Sequence, residues 1–195
     1  MTNTPASALA REEIVTVLFD LFRRAGYDAV SVADISAATR LGKSSLYHHF
    51  PGGKPDMAGA VADFARMRMR AMVFDKLAGN GSLEEKLRNM AAFVSAMYGD
   101  GSAPCLISSM MISPTAGPRT IETVRAIMTE WIASLAAALA AQGVPEGEAA
   151  RRATAALVEI QGGLVVARAT GDTKIFETAM KSAIARLQAF DPPLS

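Results

Sequence analysis

The sequence has one cysteine, Cys105, among its 195 residues. A lone thiol closes no disulfide within the chain and builds no cysteine metal cluster, so the expected compartment is a reducing cytoplasm. Histidine is nearly as scarce, because His48 and His49 are the only two. Neighbouring helical side chains diverge by about 100°, and no third ligand stands near, so no metal is expected there. Ser108, Ser109, Ser113 and Cys105 have no histidine close in sequence, which argues against a Ser-His or Cys-His nucleophile. With no paired carboxylates standing out, neither an enzyme nor a cofactor is expected. Apolar runs near 132–141 and 164–169 fall short of the roughly 20 residues a bilayer requires, so no membrane partner is expected. The opening MTNTPASALAREE lacks the basic start and apolar block of a secretory signal. A net charge of +1 excludes a strongly basic chain. Over residues 1–57 the bases Arg11, Arg23, Arg24, Arg40, Lys43 and Lys54 are matched by acids, so any positive field has to come from local placement.

What the sequence has is apolar helix. Half of it is hydrophobic and 20% is charged, more apolar than a monomer of this size needs, which points to surface given to a partner or an internal pocket. Apolar residues recur at helical spacing and nowhere in strand alternation, which gives an all-α chain of about nine helices. The expected helices cover 6–25, 31–39, 43–49, 54–78, 82–98, 104–112, 119–142, 146–170 and 173–189, with Gly and Pro between them. Ser31 with Asp34, and Ser82 with Glu85, have the spacing of capping boxes. The tail Pro192-Pro193-Leu194-Ser195 is expected to fray. The expected division is a three-helix domain over 1–53, followed by a larger helical domain over 54–195.

The two short helices at 31–39 and 43–49 are joined by Arg40-Leu41-Gly42. Ile35 and Ala38 on the first are expected to face Leu46 and Phe50 on the second, with the stripe Ile14, Leu18, Leu21, Phe22 and Ala25 of the first helix as floor. This is a helix-turn-helix whose second helix is pushed outward to meet the major groove. Its outward residues are Lys43, Ser44, Ser45, Tyr47 and His48, all hydrogen-bond donors with no acid among them, as a phosphate-lined groove demands.

Phe22, Gly26-Tyr27, the run Ser31-Val32-Ala33-Asp34-Ile35, the run from Leu41 to Phe50 ending in Leu-Tyr-His-His-Phe, and Lys54 together resemble the TetR family of repressors. The resemblance implies that Tyr47 and His48 touch DNA, and that Ser31 and Lys54 hold phosphates near helix N-termini. Arg40 departs from the family, which often has glycine there. Either the turn is strained at a positive φ, or Arg40 adds a phosphate contact. The Pro51-Gly52-Gly53-Lys54 linker, Cys105-Leu106, and Gln161-Gly162-Gly163 to Ala167-Arg168 are similar to the LmrA/YxaF-like subgroup, which resembles multidrug- and flavonoid-responsive repressors.

The rest of the chain exceeds what DNA binding requires. Methionines and aromatics, among them Phe64, Met67, Phe93, Met97, Met110, Met111 and Trp131 with Cys105 nearby, supply either plain core or the adaptable wall of a pocket for a small apolar ligand. Gln161 in mid-helix is a polar anchor for that ligand or an exposed glutamine. Ala153, Leu157, Ile160, Leu164 and Ala167 with Gly162-Gly163 form a stripe expected to pair the last two helices into a homodimer, as the resemblance implies. Such a dimer reads a near-palindromic double-stranded operator. The expected function is a ligand-responsive repressor, with a ligand-independent helix-turn-helix protein as the alternative.

Overall fold

The computed structural model describes residues 10–189. The expected helix over 6–9 and the frayed end at 192–195 lie outside the described residues. Among the described residues there is no strand. The elements are α1 (Arg11–Ala25), α2 (Val32–Thr39), α3 (Lys43–His49), α4 (Lys54–Met69), a π-helical turn (Arg70–Phe74) leading into α5 (Asp75–Ala78), α6 (Leu83–Met97), a 3₁₀ turn (Gly99–Gly101), α7 (Leu106–Met111), α8 (Pro118–Ala140), α9 (Glu146–Thr170) and α10 (Lys174–Gln188). With α4, the π turn and α5 taken as one continuous rod, the described residues form nine helices, as the periodicity predicts. Both serine caps form: the Asp34 amide donates to Ser31 Oγ, and the Glu85 amide to Ser82 Oγ, each at 3.2 Å.

The chain gathers into two compact units, cut differently from 1–53 and 54–195. Residues up to Ala65 group with Leu106–Thr123, and Arg66–Cys105 groups with the residues from Val124 onward. The physical reason is that the stretch after α7 hydrogen-bonds to the corner between α1 and α2.

In the first unit Ile14, Leu18 and Phe22 of α1 meet Ile35 of α2, Leu46 of α3 and Phe50, all fully buried. Each such side chain contributes about 1.5–3 kcal/mol by leaving water. The Phe22 ring meets Tyr27 edge-on at 5.2 Å. Three expected core positions are corrected. Ala25 and Ala38 are exposed, and Leu21 is half-buried. Val15 and Phe19 take up the inner face of α1, and Thr39 replaces Ala38 beneath α2. A buried threonine is tolerated because its hydroxyl donates to the Ile35 carbonyl at 2.7 Å.

α8, which lies in the second unit from Val124 onward, corrects the reading of apolar length. It is 23 residues long with a mean hydropathy of 1.2 over its most apolar window, enough by length and composition to cross a membrane. Its inner stripe, Val124, Ile127, Trp131, Leu135 and Leu139, is buried within the chain, as the inner face of a core-packed helix is, while 39% of the apolar window as a whole is buried. The stripe expected to pair two chains is also turned inward. Ala153, Leu157, Ile160, Leu164 and Ala167 are buried, because the most apolar face of α9 is taken by the chain's own core. Val158, Val165 and Val166 are exposed instead. Gly163 serves α10 of the same chain, since a Cβ there would lie 2.3 Å from the Ala179 Cβ, whereas Gly162 faces open space.

Candidate nucleic-acid interface

The turn between α2 and α3 is held by hydroxyls. Ser36 Oγ donates to the Leu41 carbonyl at 2.5 Å, and the Leu41 amide donates to Thr39 Oγ1 at 3.4 Å. Arg40 takes the left-handed conformation, φ 57° and ψ 24°. That region costs a residue with a Cβ roughly 1–2 kcal/mol. The positive φ expected at this turn is therefore present, carried by arginine rather than glycine. Gly42 then opens α3 in extended conformation.

Leu46 and Phe50 anchor α3 from below, and Lys43, Ser44, Ser45, Tyr47 and His48 stand exposed on its outer side. Tyr47, 47% exposed, is held by its neighbourhood. Gly53 has φ 68°, and a Cβ on it would meet the Tyr47 ring at 3.3 Å. The linker glycine thus serves both the turn and the seat of the tyrosine. His48 and His49 meet edge-on at 5.6 Å between ring centroids. The Arg11 guanidinium lies 4.9 Å from the Phe50 ring centroid, joining the start of α1 to the end of α3 by a cation–π contact.

Two nominated residues have work inside the chain. Ser31 Oγ donates to Asp34 Oδ2 at 2.6 Å while accepting from the Asp34 amide, so its hydroxyl caps α2. This interaction, first through the Ser31 hydroxyl and then through its amide, lowers the Asp34 pKa. Lys54 Nζ lies 4.4 Å from the Tyr27 ring centroid and donates to the Asp28 carbonyl at 3.4 Å. Burial lowers the Lys54 pKa, partly opposed by the nearby Asp28 charge. Lys54 thus fastens the start of α4 to the corner after α1, a role the sequence did not suggest.

That corner carries a network which sequence reasoning missed. Ser113 Oγ and Thr115 Oγ1 donate to Asp28 Oδ1 at 2.6 and 3.1 Å, and Tyr27 OH donates to the Thr115 carbonyl at 3.1 Å. Burial raises the Tyr27 pKa. The partners are 85 to 88 residues apart, beyond any local periodicity.

The residues nominated for a ligand do not form one set. Phe64 is half-buried and meets Phe19 edge-on at 5.3 Å. Met110 is buried and Met111 half-buried on α7. These three belong to the first unit, and Met67, Phe93, Met97, Cys105, Trp131 and Gln161 to the second. Met67 is 59% exposed, which corrects its nomination as a pocket wall: it sits on the outer side of α4. Phe93 and Met97 are half-buried. Trp131 is fully buried, with Nε1 donating to Met90 Sδ at 3.4 Å.

Gln161 and Cys105 are brought together by Tyr98. The Gln161 amide donates to Tyr98 OH at 3.0 Å, and the same oxygen lies 3.5 Å from Cys105 Sγ. A phenol has one proton, so accepting from Gln161 leaves it free to donate to the sulfur. Burial pushes the Tyr98 phenol well above its ordinary value. A cleft of about 300 Å³ is lined by Ser95, Asp100, Thr173, Phe176, Glu177, Met180 and Lys181, none of them nominated from the sequence.

Known proteins share this fold. A family model described as bacterial regulatory proteins, tetR family, matches residues 14–61, and one described as the C-terminal domain of LmrA/YxaF-like transcriptional regulators matches residues 98–182. An uncharacterized HTH-type transcriptional regulator of Mycobacterium tuberculosis (strain ATCC 25618 / H37Rv) is 25% identical over 173 residues, 83% of this chain and 86% of its own length. A TetR transcriptional regulator from Legionella pneumophila superposes with a TM-score of 0.79 at 24% identity, covering 92% of this chain and 97% of its own. A TetR-family transcriptional regulator from Agrobacterium tumefaciens gives 0.76 at 25% identity, covering 92% and 100%. With a donor-lined helix-turn-helix at one end and a matched helical region at the other, the chain belongs to the TetR family of bacterial transcriptional regulators, DNA-binding proteins rather than enzymes.

Proposed function

We propose that the protein is a cytoplasmic repressor that binds a near-palindromic operator as a homodimer and is released by a small apolar or aromatic ligand. The observation that carries the reading is the outer face of α3, where Lys43, Ser44, Ser45, Tyr47 and His48 offer donors and no acid from a helix anchored by Leu46 and Phe50. Donors of this kind bond to phosphate oxygens and to base acceptors in the major groove. Arg40 at the C-terminal end of α2, Ser31 at its N-terminal cap and Lys54 at the start of α4 stand as phosphate contacts in this reading, the last two in addition to the bonds they make within the chain. The DNA-reading part is the helix-turn-helix within 1–53, and 54–195 carries ligand response and dimerisation.

Dimerisation is supported by the exposed valines of α9. Val158, Val165 and Val166 leave an apolar strip on the surface with Gly162 open among them, and a second copy covers such a strip at low cost in backbone separation. Ligand binding is supported by the Gln161–Tyr98–Cys105 chain, whose buried phenol also meets the Phe176 ring edge-on at 6.0 Å, a polar fixture beside an apolar ring of the kind that orients a small apolar molecule. Release follows if the ligand prefers the conformation that fits DNA poorly, and a coupling of about 1–3 kcal/mol is typical. The full burial of Trp131 against Met90 favours the second reading, a regulator whose core admits no ligand.

Selection of operators from random DNA, followed by titration of the selected site, tests the proposal. A two-fold symmetric motif bound by two chains, with affinity lowered by apolar aromatic compounds, is the expected result. An asymmetric or absent motif overturns it. A symmetric motif whose affinity no compound in a broad apolar panel alters supports the ligand-independent reading.

A further inference from the structure

The segment that follows Cys105 leaves the C-terminal part of the chain to join the DNA-binding unit: Leu106–Thr123 packs with the residues up to Ala65, while the chain on both sides of it belongs to the other unit. Its attachment is concentrated at one corner. Ser113 and Thr115 both donate to one carboxylate oxygen of Asp28, and the Thr115 carbonyl accepts from Tyr27 OH. The turn is shaped for this grip, because the Thr115 amide donates to Ser113 Oγ at 3.1 Å. Ser113 is only 6% exposed, so its hydroxyl depends on these partners.

The corner it grips is the one that leads from α1 into the cap of α2. Tyr27 is fully buried against Phe22, Asp28 lies three residues before the Ser31 cap, and Lys54 fastens the start of α4 to the same two residues. At the other end of the segment, Cys105 is the residue whose sulfur lies against Tyr98 OH, which accepts from Gln161. One peptide bond separates Cys105 from Leu106, the first residue of α7.

We infer that Ser113 and Thr115 are positioning residues, a latch through which the state of the segment after Cys105 and operator occupancy of the helix-turn-helix govern one another. This rests on the DNA-binding reading above and names the regulation of that same site. Linkage is reciprocal, so the inference is open to test without knowing the ligand. If the latch couples the two, operator DNA changes how often the segment near Cys105 opens. Cys105 is the chain's one cysteine and is 7% exposed, so a thiol reagent reports that opening at a single site.

The experiment measures the rate of Cys105 labelling by a thiol reagent, with and without saturating selected operator DNA, in the full-length protein. Four forms are compared: parent, Thr115→Ser, Thr115→Val and Ser113→Ala/Thr115→Val, each checked for helical content and operator binding. The expected result is a change of about fivefold or more on adding operator to the parent, the lower end of typical coupling. The change is retained in Thr115→Ser, reduced in Thr115→Val and lost in the double variant. Thr115 is exposed, so Thr115→Val is the mild variant that keeps the test informative should the double variant fold poorly. If operator binds the parent and leaves the labelling rate unaltered, the latch is refuted and the DNA-binding reading stands. If the change persists at full size in a folded Thr115→Val protein and in the double variant, the coupling runs elsewhere and the latch is likewise refuted. If no operator binds the parent, the DNA-binding reading fails and the latch falls with it.

Discussion

Gly163 of α9 and Ala179 of α10 approach so closely that a Cβ on the glycine would stand 2.3 Å from that of the alanine. Real Cβ atoms do not come that near, so Gly163→Ala forces the two helices apart. The expected cost is about 1–3 kcal/mol, typical of overpacking. Gly162→Ala meets open space within the chain and, at concentrations where single chains prevail, gains helix propensity of about 1 kcal/mol. Urea unfolding of the two variants should therefore move in opposite directions, and equal shifts would contradict the assignment of inner and outer faces to α9.

Arg40 combines a left-handed backbone, φ 57°, with an exposed cation at the turn of the helix-turn-helix. Arg40→Gly removes roughly 1 kcal/mol of strain, offset in part by the larger entropy of glycine in the unfolded chain. Stability is expected to hold or rise. The slope of log affinity against log salt for the operator is expected to become shallower by about 0.9, the effect of one lost phosphate contact. An unchanged slope would confine Arg40 to shaping the turn.

The Glu130 carboxylate on α8 joins two arginines. Arg66 bonds to one of its oxygens, and Arg70 Nη2 lies 3.4 Å from the other, at the start of the π turn. Hydrogen bonding from Arg66 is the largest cause holding its pKa below the ordinary 4.5. A carboxylate whose folded pKa is lowered contributes stability above the unfolded value and loses it as pH falls through the folded one. Both arginines are substantially exposed, 40% and 59%, so the contribution is at most about 1 kcal/mol. Glu130→Gln should be less stable than the parent at neutral pH, and the gap should close as acid titrates the parent. Unfolding curves at neutral and acid pH check this, and a gap that widens in acid would contradict it.

The helices, the serine caps and the outward face of α3 were legible because their causes are local: a period near 3.6, a hydroxyl three residues from an acid, donors without acids. The sense of α9 was not. Its two candidate stripes are both apolar, and only packing against α10 decides that Leu157, Ile160 and Leu164 turn inward while Val158 and Val165 stay out. Thr39 hid for a related reason, since a polar residue reads as exposed until its bond to the Ile35 carbonyl is seen. Asp28, Ser113 and Thr115 carry no local sign of their bond, because their meeting spans more than 80 positions and leaves no periodic trace. Lys54 matched the family pattern for a phosphate contact, yet its ammonium rests on the Tyr27 ring.

The central claim is that α3 reads DNA through its exposed donors. The most direct measurement is operator affinity against salt for the parent and for a Lys43→Ala/Tyr47→Phe/His48→Ala variant, which leaves the buried Leu46 and Phe50 untouched. The parent should bind the selected symmetric site tightly with a steep salt dependence, and the folded variant should lose preference for that site over random DNA and show a shallower slope. A folded variant that bound the operator with the parent's affinity, preference and slope would contradict the account.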